Sequence, residues 1–340
     1  MKKLLKFVFF LTLCSLSLPL IVPGTAEEAA AEPYEPGVLA AESVLTQAPP
    51  SVGYDETTTL RLQTGGTVQE LTLRDYLTGV VAAEMPAGFP EEALKAQAVA
   101  ARTYTLYKMA LYSQSGGAEA HPDADLCDDP THCEAFARLE TQAASLWGDG
   151  AEIYRQRVEQ AVDSTDGLIL IYDDEPIAAV FCAASTPLTE SAADVWGSDL
   201  PYLVSVESPG GQDCSRYEDT VTISQDAFAA TIRRDWPEAD FSRPPAEWFH
   251  DSHRSQAGSV LDVLVGGVRL TGSQVRQAAG LNSANFTVRV QGDDLVFSTI
   301  GYGHGVGLSQ YGARYLALEG RTYDEILGHY YPGTALQLLG

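Results

Sequence analysis

The sequence predicts an α+β fold, because helical and strand-like segments come in separate blocks along the chain. Residues 73–111 carry apolar side chains at helical spacing, whereas short strand-like runs dominate residues 167–300. The chain has 340 residues, of which 45% are hydrophobic, and this is enough for one large globular domain or two.

Residues 1–26 are predicted to be a signal peptide or a membrane anchor. Three lysines precede an apolar run from Phe7 to Val22, and small residues follow at positions 24–26. The run is near the lower length limit for crossing a bilayer, so cleavage and anchoring both remain open. In either case the rest of the chain is expected to be exported. Residues 27–52 are rich in Ala, Glu and Pro and are predicted to be a low-complexity linker, which leaves 53–340 as the folded region.

The elements of the folded region follow from residue type and spacing. TTTLRLQ and TVQELTL predict two strands joined at Gly65-Gly66. Helices are expected to follow to about residue 113, then a polar loop to 134 and a helix near 151–162. Leu168–Tyr172 and Ala178–Phe181 predict two strands around a polar turn. A Thr-x-x-Glu capping box that begins at Thr322 predicts a last helix.

Glu84 stands at the end of an apolar helix face. The face contains Leu73, Leu77, Val80 and Val81, and its i+3 and i+4 spacing continues to Glu84. If the carboxyl is buried there, its pKa should rise, which suits a general acid. The alternative is that Glu84 turns to solvent at the helix end, just before a proline.

Arg102 lies inside the next helix, within an almost uninterrupted apolar or small-residue run from Ala93 to Leu111. Such a helix should be buried on most sides. A buried arginine needs an anionic or carbonyl partner, so a structural ion pair is the favoured interpretation of Arg102.

The polar loop HPDADLCDDPTHC predicts either a metal site or a disulfide. Its candidate ligands are His121, Cys127, His132 and Cys133, and two His with two Cys can hold a tetrahedral zinc ion. The spacing is not that of a zinc finger, and an exported protein can instead form a Cys127–Cys133 disulfide. The residues alone leave both open.

The segment GYGHGVGLSQYG combines alternating glycines with polar side chains. No lysine follows at the position that a phosphate-binding loop requires, so the glycines are expected to permit turns and a close approach of a sugar chain. His304, Ser309, Gln310 and Tyr311 offer hydrogen-bonding groups and a stacking face. A structural role for His304 remains the alternative.

The net charge excludes one class of partner. The chain carries 46 acidic and 21 basic residues, a formal charge of −25. So acidic a surface disfavours nucleic acid, and it is compatible with a neutral glycan.

Three segments resemble the SpoIID/LytB family, the sporulation stage II protein D group. They are Tyr76–Tyr107, Ala161–Pro209 and Gly301–Gly333, and together they span about residues 57–339. The resemblance implies a lytic transglycosylase that cleaves peptidoglycan glycan strands, preferably strands without stem peptides. Its products would end in 1,6-anhydro-N-acetylmuramic acid. A role in sporulation, in wall degradation during engulfment, rests wholly on the resemblance.

The resemblance also implies roles for individual residues. Glu84 matches the family's catalytic acid/base. One carboxyl would serve both proton transfers because no external water is activated, and no second acid stands out among Glu91, Glu92 and Asp75. It favours zinc over a disulfide in the polar loop, with a structural role because four ligands close the site. The helical segment with the catalytic Glu would pack with a strand-rich region around a substrate groove. The candidate substrate-binding residues are Arg102, Ser185, Thr189, His304, Ser309, Gln310 and Tyr311.

One segment departs from the family pattern and keeps a second function open. Thr186-Pro187 replaces a flexible turn, and Cys182 stands where His or Ser is common; a Cys182–Cys214 disulfide is one possibility. The chain is therefore also compatible with a non-catalytic peptidoglycan-binding module that stimulates a cell-wall amidase. A zinc hydrolase would need an open metal position. The resemblance favours a membrane-anchored protein on the extracytoplasmic face over a secreted one.

Overall fold

The computed structural model describes residues 53–340, and these form an α+β fold, as the sequence predicts. The predicted signal peptide or anchor (1–26) and linker (27–52) lie outside the described residues. Within residues 53–340, no helix is both long and apolar enough to cross a membrane.

The helices and strands are named here in chain order. The α-helices are α1 (Tyr54–Thr57), α2 (Leu73–Glu84), α3 (Glu91–Ser115), α4 (Leu139–Trp147), α5 (Ala151–Asp163), α6 (Ala192–Trp196), α7 (Gln225–Asp235), α8 (Gly272–Ala279), α9 (Gln310–Leu318) and α10 (Tyr323–Tyr330). The strands are β1 (Thr59–Thr64), β2 (Thr67–Thr72), β3 (Leu126–Cys127), β4 (Leu168–Tyr172), β5 (Glu175–Pro176), β6 (Phe181–Cys182), β7 (Glu218–Ser224), β8 (Phe249–Arg254), β9 (Val260–Val265), β10 (Val268–Thr271), β11 (Phe286–Gln291), β12 (Asp294–Ile300), β13 (Leu308–Ser309) and β14 (Ala335–Leu338).

The N-terminal elements agree with the sequence prediction. β1 and β2 pair antiparallel across Gly65-Gly66, and β3 joins β1 in parallel. The Thr72 side chain caps α2 by accepting a hydrogen bond from the backbone N–H of Asp75. α3 follows Pro90 and runs through the centre of the larger core, against α2, α5, α9, α10 and β4. Its many alanines allow these neighbours to approach closely.

The strand predicted at Ala178–Phe181 is wrong. Asp173 and Asp174 both have positive φ and make a tight turn, so the partner of β4 starts at once, at Glu175–Pro176. The apolar residues from 177 to 180 are buried without belonging to a strand. An apolar run of this length does not by itself distinguish a strand from a buried irregular segment.

The described residues contain two separate hydrophobic cores. The larger core surrounds α3. We call the smaller one the second core; it lies between the antiparallel sheets β10-β9-β8 and β11-β12-β7 with helices α7 and α8. Its largest members are aromatic: Phe228, Phe241, Trp248, Phe286 and Phe297.

A short parallel pair of strands brings distant segments together. β6 pairs with β13, so that Cys182 lies opposite Ser309. The pairing places the segment after Val180 beside the glycine-rich segment 301–307 and the start of α9. Both segments face the C-terminal end of α2, where Glu84 is located, and a cavity forms between them.

Candidate functional site

Glu84 is the last residue of α2 and points into a cavity of about 330 Å³, here called the Glu84 cavity. The side chain is half-buried and lines this cavity, so the alternative of a carboxyl in open solvent does not describe it. Oε1 accepts a hydrogen bond from the backbone N–H of Ala135 (3.3 Å), and Oε2 accepts one from Nε2 of Gln310 (3.5 Å). The cavity is lined by Ala83, Glu84, Tyr104, Pro130, Cys133, Glu134, Val180, Phe181, Cys182, Ala183, Arg276, Tyr302, Gly303, His304 and Gln310.

Burial raises the pKa of Glu84 to about 7, and the hydrogen bonds from Ala135 and Gln310 oppose this shift. No cation forms an ion pair with this carboxyl anywhere in residues 53–340. Protonated and ionised forms are therefore both accessible near neutral pH. A group in this state can give up a proton and take one back.

Glu134 is a second carboxyl in the same cavity wall, and it was not predicted from the sequence. It is 4% exposed and its Oε2 accepts hydrogen bonds from the hydroxyls of Thr105 (2.8 Å) and Tyr76 (3.4 Å). Burial raises the pKa of Glu134 to about 8, and the nearby charge of Glu84 adds to the rise. Within the described residues its Oε1 has no hydrogen-bond partner. The only sequence signal was its position, directly after the last cysteine of the polar loop.

The four His and Cys residues of the polar loop form one cluster, with their ligand atoms all within 4.8 Å of one another. Sγ of Cys133 lies 3.4 Å from Nε2 of His121 and 3.3 Å from Nδ1 of His132, and Sγ of Cys127 lies 3.6 Å from the same Nδ1. Zinc bonds of about 2.0–2.3 Å in a tetrahedron separate neighbouring ligands by about 3.3–3.8 Å. The cluster therefore fits a zinc ion.

The surroundings of the cluster also suit a metal. Nδ1 of His121 lies 3.0 Å from the carbonyl of Ala124, which directs Nε2 toward the cluster. Nε2 of His132 lies 3.3 Å from the hydroxyl of Tyr112. The buried ammonium of Lys108 donates to the carbonyl of His132 (2.7 Å), and its charge favours thiolates nearby. Hydrogen bonding from Cys133 lowers the pKa of the Cys127 thiol, whereas burial raises the pKa of the Cys133 thiol.

The cluster is continuous with the cavity wall. Cys133 lines the cavity itself, Glu134 follows it, and Ala135 donates the hydrogen bond to Glu84. Whatever fixes the loop therefore also fixes the backbone N–H that holds the Glu84 carboxyl.

His304 and Gln310 are the two candidate substrate-binding residues that line the cavity. Nδ1 of His304 accepts a hydrogen bond from the backbone N–H of Val306 (3.0 Å), and the ring packs against Trp196. Burial, followed by the charge of Arg276, lowers the pKa of His304 to about 3, so the imidazole is neutral. Gln310 lies between Glu84 and Gln97, with Nε2 within 3.5 Å and 3.4 Å of their side-chain oxygens.

Four other candidates are not among the residues that line the cavity. The hydroxyls of Ser185, Thr189 and Ser309 form hydrogen bonds inside the protein: Ser185 with Ser208 (2.6 Å), Thr189 with the N–H of Val206 (2.9 Å), and Ser309 with the N–H of Gly312 (3.3 Å). Tyr311 is half-buried with its ring edge against Phe89. Substrate contact by these four stays a prediction.

Arg102 requires a correction as a candidate substrate-binding residue. Its side chain is fully buried and pairs with Asp55, with 2.9 Å between Nε and Oδ1. The guanidinium also donates to the carbonyls of Leu168 and Val162. A side chain enclosed in this way does not reach the cavity, and the favoured interpretation, a structural ion pair, is confirmed.

The four cysteines of residues 53–340 are free, so neither a Cys127–Cys133 nor a Cys182–Cys214 disulfide is present. Cys182 lines the cavity, where burial raises the pKa of its thiol to about 12 and keeps it neutral. Thr186, which departs from the family pattern, is held in place by its own hydroxyl. This hydroxyl lies within hydrogen-bonding distance of the carbonyls of Leu188 (2.8 Å) and Ala257 (3.0 Å).

Together these features define an α+β protein with a poorly solvated acid in a cavity and a His/Cys cluster of metal-binding type beside it. A family model described as "Stage II sporulation protein" matches residues 62–172. Stage II sporulation protein D of Bacillus subtilis (strain 168) is 37% identical over 269 residues, which cover 79% of this chain and 75% of that protein. The protein of the same name from Bacillus amyloliquefaciens is 34% identical over 323 residues, 92% and 89% of the two chains.

The chain belongs to the stage II sporulation protein D family. A more distant relative, the "Amidase enhancer" of Bacillus subtilis (strain 168), is 27% identical over 311 residues and covers 76% of this chain and 40% of that protein. The printed names of the family model and of the two Bacillus relatives connect this family with sporulation.

Proposed function

We propose that the chain is a lytic transglycosylase that cleaves peptidoglycan glycan strands lacking stem peptides. The observation that carries this proposal is Glu84, a carboxyl with a pKa of about 7 at the wall of a cavity. Inverting glycosidases use a second carboxylate to activate water, and retaining glycosidases use it as the nucleophile. A transglycosylase of this kind uses a hydroxyl of the substrate instead, so one carboxyl is sufficient.

Glu84 first acts as an acid. In its protonated form it donates to the glycosidic oxygen that leaves N-acetylmuramic acid, and an oxocarbenium-like transition state develops. The resulting carboxylate then takes the proton from the 6-hydroxyl of the same sugar, and that oxygen closes the 1,6-anhydro ring. The proton returned in the second step regenerates the acid. The hydrogen bonds from Ala135 and Gln310 would stabilise the carboxylate between the two steps.

Glu134 does not serve as the second catalytic acid in this proposal. With a pKa of about 8 its carboxyl stays protonated at neutral pH, and its hydrogen bonds direct one oxygen toward Thr105 and Tyr76. A neutral acid beside Glu84 adds no negative charge to the cavity. A protonated carboxyl also cannot act as the general base that activation of water would require.

Zinc is proposed to be structural. His121, Cys127, His132 and Cys133 would hold it, and a bound ion would cross-link the loop that ends at Ala135. Because four protein ligands fill a tetrahedral site, no water-activating position remains. We therefore set aside the zinc hydrolase alternative.

The parts of the chain are proposed to have separate roles at the cell surface. Residues 53–340 would form the catalytic region and residues 27–52 the tether. Residues 1–26 would be the signal peptide or anchor that places the protein on the extracytoplasmic face. The side chains of His304 and Gln310 would contact the glycan. The protein would act on wall peptidoglycan during engulfment, alongside an amidase that removes stem peptides.

The test is product analysis. The full chain is incubated with glycan strands stripped of stem peptides, and the products are measured by mass spectrometry. We expect 1,6-anhydro ends from the wild type and none from Glu84→Gln, with both proteins folded by circular dichroism. Reducing ends would mean that water is the acceptor and would contradict the mechanism.

A second candidate function is stimulation of a cell-wall amidase without cleavage, which the relative named an amidase enhancer favours. Substitution of Glu84 distinguishes the two functions, because only cleavage requires its carboxyl. If the wild type and Glu84→Gln stimulate a purified amidase equally and neither cleaves strands, this function replaces the first.

A further inference from the structure

Arg276 is a buried cation in the wall of the Glu84 cavity. It lies on α8, next to the second core, and is only 3% exposed. Its Nε donates a hydrogen bond to the carbonyl of Leu281 over 3.2 Å. Burial lowers the pKa of Arg276 to about 10, which still leaves the guanidinium charged at neutral pH.

The fold supplies no anion for this charge. Arg102, which is equally buried, is neutralised by Asp55. Across residues 53–340, by contrast, no carboxylate forms an ion pair with Arg276. Buried charges are normally paired, because an unpaired one has lost its hydration without compensation. The missing partner is therefore expected to enter from the cavity that Arg276 lines.

The neighbouring polar groups do not replace that partner. The charge of Arg276 contributes to the low pKa of His304, which is neutral, and Cys182 is a neutral thiol. The hydroxyl of Tyr302 already accepts a hydrogen bond from Nη1 of Arg216 (2.8 Å). Arg276 thus leaves an uncompensated positive charge on one wall of a cavity that also contains the Glu84 carboxyl.

We propose that Arg276 binds the carboxylate of the lactyl ether on N-acetylmuramic acid. This inference rests on the proposed function. In a strand with stem peptides that carboxyl is an amide, which is neutral and carries a bulky chain. Removal of the peptide frees a carboxylate, so the stripped strand is anionic at each such sugar and not the neutral glycan expected from the net charge. A carboxylate is the planar anion that a guanidinium binds through two parallel hydrogen bonds. Arg276 would therefore select stripped strands, because an amide at this place leaves the cation unpaired.

Binding without turnover tests the inference. Full-length Glu84→Gln protein is titrated by calorimetry with short glycan oligosaccharides in three forms: with a free lactyl carboxylate, with that group converted to the primary amide, and with an intact stem peptide. We expect the carboxylate form to bind at least about ten-fold more tightly than the amide, the size typical of a charge-assisted hydrogen-bonded pair. When Arg276→Gln is added, the affinities for the carboxylate and amide forms should differ by no more than about two-fold.

Arg289→Gln is the matched control, because it removes one positive charge from an exposed position on β11; it should keep the ten-fold ratio. If Arg276→Gln does not fold, Arg276→Lys replaces it, and loss of the two-pronged contact should cut the ratio below about three. Equal binding of carboxylate and amide by the parent protein would overturn the inference. So would an unchanged ratio in a folded Arg276 variant.

The oligosaccharide with an intact stem peptide distinguishes the lactyl carboxylate from the carboxylates of the peptide. If this form binds most tightly and its binding depends on Arg276, the arginine binds a carboxylate of the stem peptide. That result would overturn the inference. Cleavage by the wild type is measured separately. A protein that discriminates through Arg276 but does not cleave keeps this inference and loses the transglycosylase proposal.

Discussion

Glu84 and Glu134 show how two carboxyls of one cavity acquire different properties from their neighbours. Glu84 opens to the cavity and its hydrogen bonds come from a backbone N–H and an amide, both of which stabilise a carboxylate. Glu134 is enclosed and has one oxygen without a partner in the described residues. Burial dominates the pKa of each. Glu84 is therefore the one that can change its charge in contact with a ligand.

Glu84→Gln should stabilise the protein above neutral pH. The folded-state pKa is raised from 4.5 to about 7, so the folded protein binds this proton more tightly than the unfolded chain. Ionisation of the buried carboxyl therefore costs stability progressively between these two values and fully above about 7, by roughly 1–3 kcal/mol. We expect the melting temperature of Glu84→Gln to match the wild type near pH 4 and to exceed it by about 2–6 °C at pH 8. The exposed Glu140→Gln should show no such difference, and a pH-independent difference at position 84 would contradict the assignment.

The cleavage rate should fall with pH on the same titration. Only protonated Glu84 can donate to the leaving oxygen, so kcat/KM is expected to be flat below about pH 6. Above a pKa of about 7 it should drop by roughly ten-fold per pH unit. The measurement is initial release of anhydro ends between pH 5 and 9. A rate that rises through pH 7 would mean that the carboxylate acts first, and the acid-first mechanism would fail.

At the scale of elements, features that depend on residues close in the sequence were predicted better than features that depend on tertiary contacts. The Gly65-Gly66 hairpin, α5 and the capping box of α10 depend on nearby residues, and all three are present. Helical spacing allowed Glu84 to face inward but left a position in solvent open, and the family resemblance decided between them. Glu134 and Arg276 could not be found in this way, because the loop and α8 reach the cavity only through the tertiary fold. The strand error at 178–181 has the same origin, since pairing depends on the partner strand.

Cys127→Ser should release the polar loop. If zinc links the four ligands, its loss should remove bound metal and lower the free energy of unfolding by about 3 kcal/mol, the contribution of a ligand at roughly one hundred times its Kd. Cleavage should fall as well, because the same loop holds Ala135 against Glu84. Zinc content by elemental analysis and thermal melting are the measurements. Cys214→Ser, a free cysteine outside the cluster, should keep full zinc content. Wild-type protein that is metal-free with unchanged melting would refute the zinc proposal.

At the scale of the whole molecule, the cavity depends on how two cores meet. The larger core provides Glu84 and the loop, whereas α8 beside the second core provides Arg276. Glu190 connects them: its backbone N–H donates to the carbonyl of Gly305 (2.8 Å), and its Oε1 accepts from the hydroxyl of Ser255 (2.9 Å) and the N–H of Ser259 (3.2 Å). Nothing in the sequence around Glu190 indicated partners some 65 residues away.

Glu190→Ala should therefore loosen the second core relative to the larger one. The substitution removes the carboxylate that accepts from Ser255 and Ser259, and it leaves the Ser259 N–H only Oγ of Ser255 as acceptor, at a cost of about 1–3 kcal/mol. We expect faster hydrogen exchange in residues 255–300 and unchanged protection in α3, because the larger core keeps its own packing. Binding of stripped strands should weaken with it, since Arg276 lies in the loosened part. Glu238→Ala, an exposed acid near α7, controls for charge and should change neither quantity. Uniformly faster exchange across both cores would instead mean that they unfold as one unit, with Glu190 contributing to global stability alone.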